Sequence, residues 1–323
     1  MGSSLELAGL IRRRDSRRSP AVKALAVIVA VLLVACPNLR DSRAFDQALL
    51  IPHGRHADLD THRLYYECQG EGRPMVLIDY GIAGSAVGWR KLQAKLATIT
   101  TVCAYDRAGY GWSDPGPSPR TAGQAVEELQ ALIVAAGWAG PFVLLGHSFG
   151  GFDTRLFAAR HPELVAGLVW LDSSHPAEAL QPDPPGAHGP VTNPVAQGAI
   201  RDSDIDDDEA AGAYLNTRRK ALFTQMDELS NFSASARQVL EAGKIPDVPL
   251  VVVTRDRAQG QSEADAARWR RRQQELALLS PQGVLWTAEG SGHEIHRDRP
   301  DVVVKAVRRV VDEVRAAGLA HVR

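Results

Sequence analysis

Residues 141–150 read PFVLLGHSFG, an apolar run that passes into the pattern Gly-X-Ser-X-Gly. The apolar run predicts a buried strand, and the stretch after the pattern predicts a helix that ends near Pro162. Gly146 and Gly150 relieve steric crowding where a strand turns sharply into a helix. The sequence therefore predicts a strained turn that holds Ser148 above the edge of a sheet, with its hydroxyl accessible to a ligand.

Short apolar runs alternate with helix-like stretches on both sides of this turn. The predicted strands cover residues 64–68, 75–80, 102–105, 141–145, 168–171, 248–254 and 284–288, and the predicted helices include 121–137, 263–279 and 301–317. Such alternation is typical of helices packed on a mainly parallel sheet. Residues 173–246 interrupt it with a Pro/Gly-rich stretch, an acidic stretch and a helical stretch at 210–242. This interruption predicts an insertion above the sheet.

The composition excludes several classes of protein. Of 323 residues, 45% are apolar and 23% are charged, which is typical of a globular α/β protein rather than a polytopic membrane protein. With 37 basic and 38 acidic side chains, the net charge of −1 creates no field that would attract nucleic acid. Three cysteines are too few for a structural zinc site or a disulfide scaffold. We therefore expect a globular domain without a nucleic-acid partner.

The N-terminal part of the chain differs from the rest. Residues 1–23 carry six basic and two acidic side chains, and residues 24–36 read ALAVIVAVLLVAC. A helix of that length reaches about 20 Å, short of the ~30 Å hydrocarbon core, and a basic stretch before a short apolar one is typical of an export signal. We expect a protein that is secreted or tethered to the cell envelope, with residues 37–58 as a linker. Cleavage at residues 42–44, lipidation of the cysteine that ends the apolar stretch, and retention as a membrane anchor remain open, and the alternative is a buried apolar helix.

A serine hydroxyl is a poor nucleophile without a base, so a catalytic Ser148 requires a histidine beside it. His293 lies in residues 290–294, GSGHE, directly after the last predicted strand, where loops at the carboxyl edge of the sheet can reach the serine. We therefore predict that His293 is the general base. His147, inside the turn, is expected to be structural, and His296 is expected to be a surface or capping residue.

Two aspartates are candidates for the acid that orients this histidine. Asp172 ends one predicted strand and Asp256 follows another, so both fall on the same edge of the sheet. Asp172 is preferred, because Asp256 follows its strand so closely that its side chain can point away from the histidine. A tetrahedral intermediate also needs backbone N–H donors for its oxyanion, and the expected pair is Ile82 and Phe149.

Four sequence features follow one another in an order that resembles the α/β-hydrolase superfamily. They are Tyr80-Gly81-Ile82, residues 105–114 (YDRAGYGWSD), the turn at Ser148 and Gly292-His293. The resemblance covers about residues 59–315. It implies an α/β-hydrolase fold, that is, a mostly parallel, eight-stranded sheet flanked by helices, with a helical cap at 173–246 between the core halves 59–172 and 247–323. It also implies a Ser-His-acid triad that needs neither a metal nor a cofactor.

The resemblance bears on three further points. The usual acid site of the superfamily, a Gly-X-X-Asp turn after the penultimate strand, is replaced here by residues 254–258, TRDRA. This replacement favours Asp172, a placement that some lipases of the superfamily use. The resemblance also places Cys68 and Cys103 on neighbouring strands, where they could form a disulfide, although two buried thiols are the preferred interpretation. Residues 106–114 are expected to have structural roles alone.

The predicted activity is hydrolysis of a carboxylic ester of a small molecule through an acyl-enzyme. A serine rather than an aspartate at position 148 argues against haloalkane dehalogenase and epoxide hydrolase chemistry. Peptidase, thioesterase, C–C hydrolase and cofactor-free haloperoxidase activities use the same triad and remain alternatives. A second alternative, from another class, is a ligand-binding or sensor protein in which the triad is vestigial.

Overall fold

The computed structural model describes residues 50–180, 207–256 and 261–318, and these ranges contain one eight-stranded sheet. The strands are β1 (Arg55–Asp58), β2 (Arg63–Gln69), β3 (Val76–Asp79), β4 (Val102–Tyr105), β5 (Phe142–His147), β6 (Val165–Leu171), β7 (Leu250–Arg255) and β8 (Gly283–Ala288). Their order is β1-β2-β4-β3-β5-β6-β7-β8. The pairs β1/β2 and β2/β4 are antiparallel, and the other neighbours are parallel. The predicted mostly parallel sheet is confirmed.

Helices cover both faces of this sheet. They are α1 (Arg90–Leu96), α2 (Ala122–Ala135), α3 (Gly150–Arg160), α4 (Pro176–Leu180), α5 (Asp207–Asn216), α6 (Arg219–Ser230), α7 (Phe232–Glu241), α8 (Glu263–Ala277), α9 (Ile295–Asp298) and α10 (Pro300–Ala316). Apolar side chains of α1 and α10 form the core on one face, and those of α2, α3, α7 and α8 form it on the other. Local sequence explains two helix starts: Thr121 Oγ1 accepts a hydrogen bond from the Gln124 N–H at 3.3 Å, and Pro300 occupies the first turn of α10.

The residues between β6 and β7 are helical where they are described. The stretch 210–242, predicted to be helical, lies within the separate helices α5, α6 and α7, with breaks near Thr217 and at Asn231. The Ala122 N–H donates to Ser235 Oγ at 3.0 Å, so α7 contacts the start of α2. The cap helices are therefore attached to the core through buried polar contacts as well as apolar ones.

The antiparallel edge of the sheet differs from the predictions in two ways. Cys68 on β2 lies opposite Cys103 on β4, and the two form a disulfide with Cα atoms 4.1 Å apart, so the preference for two free thiols was wrong. Residues directly opposite each other on antiparallel strands come close enough for this bond. Strand β1 was not predicted because its sequence, RHAD, is polar and buries only Ala57.

The N-terminal predictions are not tested by the structure. The predicted signal or anchor at residues 1–36 and residues 37–49 of the predicted linker lie outside the described residues. Strand β1 begins at Arg55, so the sheet starts inside the stretch predicted as a linker. Among the described helices, none has both the length and the apolar composition needed to cross a bilayer.

Candidate active site

Ser148 lies in the turn between β5 and α3 with a φ of 53°, in the left-handed region. The flanking glycines are required by close packing. A Cβ at position 146 would lie 2.4 Å from Thr154 Oγ1, and a Cβ at position 150 would lie 2.2 Å from the carbonyl oxygen of Asp79. The predicted strained turn is therefore present, and it holds Ser148 at the carboxyl edge of the central strands.

Asp172 and His293, from two other loops at this edge, are in direct contact. Asp172 follows β6 with a φ of 41° and is fully buried, and His293 lies in the loop between β8 and α9. His293 Nδ1 lies 2.6 Å from Asp172 Oδ2. Asp256 makes a different contact, because its Oδ2 accepts the Gly290 N–H at 3.0 Å. Of the two aspartates considered from the sequence, Asp172 is the one that contacts the histidine, and Asp256 contacts the backbone of the histidine loop.

Two further residues hold the Asp172 carboxylate. Arg255 donates its backbone N–H to Oδ1 at 3.1 Å and its Nη1 to Oδ2 at 2.5 Å. Trp269 donates its indole Nε1–H to Oδ1 at 2.6 Å, and its ring lies 4.3 Å from the Arg255 guanidinium carbon. Neither contact is apparent from the local sequence. The available signal was a lone tryptophan in a helix that is otherwise strongly polar.

These contacts set the protonation of the pair. Burial acts to raise the pKa of Asp172, but the hydrogen bond from His293 and the charges of His293 and Arg255 leave it below its usual value. Burial acts to lower the pKa of His293, but the Asp172 carboxylate leaves it above its usual value. A carboxylate at Nδ1 favours the tautomer with a proton on that nitrogen. Nε2 of His293 is then the nitrogen that can accept a proton.

His147, the neighbour of Ser148 in the chain, contacts His293. The ring centroids of His147 and His293 are 4.8 Å apart, and His147 Nε2 donates to the His293 carbonyl oxygen at 3.0 Å. The Ser148 hydroxyl faces Gly81, where a Cβ would lie 3.3 Å from Ser148 Oγ. This hydroxyl forms no hydrogen bond with any residue of the three described ranges.

The turn after β3 (residues 80–84, the oxyanion turn) carries Ile82, one of the two predicted oxyanion donors, and the turn after β5 carries the other, Phe149. Within the described residues, the N–H groups of Ile82 and Phe149 have no hydrogen-bond acceptor. Arg107 holds the oxyanion turn in place, since it donates hydrogen bonds to the carbonyl oxygens of Tyr80 and, at 3.2 Å, Gly81. Its Nη1 also lies 2.7 Å from Asp79 Oδ1. The two N–H groups are therefore available to a ligand, and the turn that carries one of them is anchored in the core.

The cap helps to hold the oxyanion turn in place through Glu228 of α6, which binds Arg107. Its carboxylate accepts from Arg107 Nε at 3.1 Å and from the Tyr110 hydroxyl at 2.7 Å. The Tyr110 hydroxyl in turn accepts the Ala83 N–H at 3.3 Å. All of these side chains are buried, so the cap helix and the turn form one hydrogen-bonded unit. Residues 106–114 thus have the structural role expected from the resemblance.

A cavity of about 950 Å³ opens beside the turn. Its walls include Ile82 from the turn, Trp89 and Leu92 from the α1 region, Ala213 from α5, and His296. His296 was expected at the surface or at a helix cap, but its ring stacks on Trp89 with the centroids 4.0 Å apart and its side chain is 13% exposed. The expectation failed because α9 places His296 against Trp89, just before α1, a tertiary contact that local sequence does not reveal. The cavity is wide enough for a small organic substrate.

Comparisons with known proteins agree with this architecture. A family model described as alpha/beta hydrolase fold matches residues 74–193. An AB hydrolase superfamily protein of Gibberella zeae is 28% identical over 283 residues, covering 75% of this chain and 88% of that protein. The 2-(acetamidomethylene)succinate hydrolase of Mesorhizobium japonicum is 25% identical, covering 80% of this chain and 95% of the enzyme. The crystal structure of Cfl2 from Burkholderia cenocepacia superposes with a TM-score of 0.63 at 21% identity, over 80% of this chain and 95% of Cfl2.

The sheet order, the turn at Ser148 and these matches together define an α/β-hydrolase fold. The fold and these matches support membership of the α/β-hydrolase superfamily, and the relatives include hydrolases.

Proposed function

We propose that the protein is a serine hydrolase that cleaves carboxylic esters of small molecules through a Ser148-His293-Asp172 triad. The observation that carries the proposal is the contact of 2.6 Å between His293 Nδ1 and Asp172 Oδ2, at the same edge of the sheet as a serine with positive φ. A buried carboxylate that orients an imidazole beside a strained serine is the arrangement that activates a hydroxyl for acyl transfer.

The mechanism follows from these positions. When the ester binds, His293 Nε2 must reach Ser148 Oγ to about 3 Å, a contact that often tightens only in the substrate complex. Ser148 Oγ then attacks the acyl carbon while His293 accepts its proton, and the N–H groups of Ile82 and Phe149 hold the oxyanion. His293 returns the proton to the leaving alcohol as the carbon–oxygen bond of the ester breaks. Water, deprotonated by the same imidazole, hydrolyses the acyl-enzyme and regenerates Ser148.

The proposal predicts covalent labelling by a fluorophosphonate, which phosphonylates an activated serine. The wild-type protein should be labelled and should hydrolyse p-nitrophenyl esters, whereas Ser148→Ala should do neither. Ser230→Ala, which changes an exposed serine at the end of α6, is the matched control and should be labelled like the wild type. A folded wild-type protein that is not labelled and cleaves no ester of short, medium or long acyl chain would instead favour the ligand-binding alternative.

We also propose that the protein works outside the cytoplasm, exported or tethered through its N-terminal segment. Two observations support this location: the basic and then apolar sequence of residues 1–36, and the disulfide between Cys68 and Cys103. Structural disulfides persist in oxidising compartments and are rare in the cytosol. Cell fractionation tests the proposal, since the full chain should be found with the envelope or the medium, and its recovery in the cytosol with reduced cysteines would refute it.

A further inference from the structure

Three side chains that commonly bind metals meet beside Ser148 and have no part in the proposed reaction. They are His147 at the end of β5, and Glu294 and His296 around the start of α9. Their donor atoms all lie within 4.8 Å of one another, and all three residues line the cavity described above. Two imidazoles and one carboxylate form a donor set that zinc proteins use when a coordination position stays open.

The hydrogen bond at Nε2 of His147 leaves Nδ1 as the atom that can bind a metal. Its Nε2 donates to the His293 carbonyl oxygen at 3.0 Å, so in the neutral ring Nδ1 carries the lone pair. Metal-binding histidines typically make such a bond to a backbone carbonyl, which fixes the tautomer and the ring orientation.

His296 is held in place but has an unused donor atom. Its ring is stacked on Trp89 with an interplanar angle of 10°, whereas its buried Nδ1 has no hydrogen-bond partner among residues 50–180, 207–256 and 261–318. Glu294 Oε2 lies 3.6 Å from this nitrogen. The Glu294 side chain is 41% exposed and can therefore rotate, which would bring the donors to the spacing of about 3.3 Å that a tetrahedral ion with ~2.0 Å bonds requires.

We propose that His147, Glu294 and His296 bind one divalent transition-metal ion, with Zn²⁺ as the best match, and that the bound ion inhibits the enzyme. The geometry around Gly81 gives the reason for inhibition. A Cβ at position 81 would lie 3.4 Å from His147 Nδ1 and 3.3 Å from Ser148 Oγ, so both atoms face the same small space in front of the oxyanion turn. An ion bound to His147 Nδ1 occupies the place where the carbonyl group of an ester must bind. The inhibitory part rests on the proposed function, whereas the binding part does not.

Binding is tested with Co²⁺, which replaces Zn²⁺ in such sites and reports tetrahedral coordination by its visible absorption. The full chain, first treated with EDTA, should bind one Co²⁺ per molecule, and Zn²⁺ should displace it. His296→Gln and Glu294→Gln should each weaken binding at least about 100-fold, because each removes a direct ligand. His53→Gln, which changes an exposed histidine, is the matched control and should bind like the wild type. Absence of the absorption bands, or full affinity in His296→Gln, would overturn the proposal.

His293 is the competing ligand, because its ring lies next to His147. His293→Gln distinguishes the two arrangements: the proposed site keeps its affinity in this variant, since the His147 contact uses the backbone carbonyl of residue 293. Loss of Co²⁺ binding in His293→Gln would show that the general base is the ligand and would refute the assignment.

Inhibition is tested by comparing ester hydrolysis with EDTA and with Zn²⁺ within each variant. The wild type should lose activity with Zn²⁺ in competition with the ester, and any activity that His296→Gln retains should be insensitive to the same Zn²⁺ concentration. Full activity of zinc-loaded wild type would refute inhibition. If the EDTA-treated wild type cleaves no ester, the proposed function fails, while the Co²⁺ result still decides whether the site exists.

Discussion

Replacement of Asp172 by asparagine should remove nearly all activity while keeping the fold. The carboxylate accepts four hydrogen bonds: Oδ2 accepts from His293 Nδ1 and Arg255 Nη1, and Oδ1 accepts from the Arg255 N–H and Trp269 Nε1. An asparagine keeps one oxygen and presents an NH₂ group at the other position. In either orientation, that NH₂ group faces two donors.

The effect on kcat follows from the orientation of the amide. If the NH₂ group faces His293, the imidazole must accept at Nδ1 and carry its proton on Nε2, so that it cannot act as a base. Amidation of a triad acid typically lowers kcat by about 10⁴-fold, equivalent to about 5.5 kcal/mol of transition-state stabilisation. If the NH₂ group instead faces Arg255 and Trp269, the tautomer of His293 is kept, but two buried donors lose their acceptor at a cost of about 1–3 kcal/mol each, which disfavours this orientation.

The assay compares Asp172→Asn with Asp256→Asn by steady-state ester hydrolysis and by thermal unfolding. Asp256→Asn weakens one hydrogen bond to the Gly290 N–H and should change kcat by less than about tenfold, or about 1.4 kcal/mol. The reasoning would be refuted if Asp256→Asn lost activity by orders of magnitude and Asp172→Asn did not, with both variants folded.

Three other predictions follow from the described contacts. Because the pKa of His293 is raised above 6.5 and the base must be neutral, kcat/KM measured in EDTA should rise with pH and reach half its maximum above pH 6.5; a midpoint below that value would contradict the assignment. Glu228→Gln weakens the hydrogen bonds that Arg107 makes to residue 228, and Arg107 positions the oxyanion turn. The value of kcat should therefore fall about tenfold with little change in KM. A tenfold change in KM with kcat unchanged would instead indicate a role in substrate binding. The disulfide between Cys68 and Cys103 closes a loop of 35 residues. Its removal by the double substitution Cys68→Ala and Cys103→Ala should lower the free energy of unfolding by about 4 kcal/mol and the Tm by about 10 °C. An unchanged Tm would show that the bond is absent.

Most of the fold and part of the site could be predicted because they depend on local sequence. The run that ends in Gly-X-Ser-X-Gly needs a strand, a tight turn and a helix in consecutive residues, and the structure has all three. Placing His293 after the last strand required only the rule that loops at the carboxyl edge of a parallel sheet converge. The roles of Trp269 and Glu228 could not be predicted, because each acts across more than ninety residues of chain on a group that local patterns do not identify.

The predictions for His296 and for the two cysteines were wrong for a related reason. The exposure of His296 depends on its contact with Trp89, which is distant in the chain, and a four-residue helix carries no amphipathic pattern that would reveal its buried side. The cysteines were correctly expected on neighbouring strands, but the choice between thiols and a disulfide depended on their register. Direct pairing of Cys68 with Cys103 brings the Cα atoms within bonding range, whereas a shift of one residue would turn one of the side chains to the opposite face.

The end of β7 gives a physical reason for the proposed acid to lie after β6 rather than after β7. The usual acid position of the superfamily, after the penultimate strand, is replaced here by a sequence that contains Arg255 and Asp256. Arg255 directs both its N–H and its guanidinium at the carboxylate of Asp172, and Trp269 covers that guanidinium. A carboxylate fully buried at the end of β6 would be protonated or destabilising without such donors. The end of β7 therefore supplies a positive charge and two hydrogen bonds that favour the ionised form of Asp172. Asp256, one residue further on, contacts the loop of His293 instead.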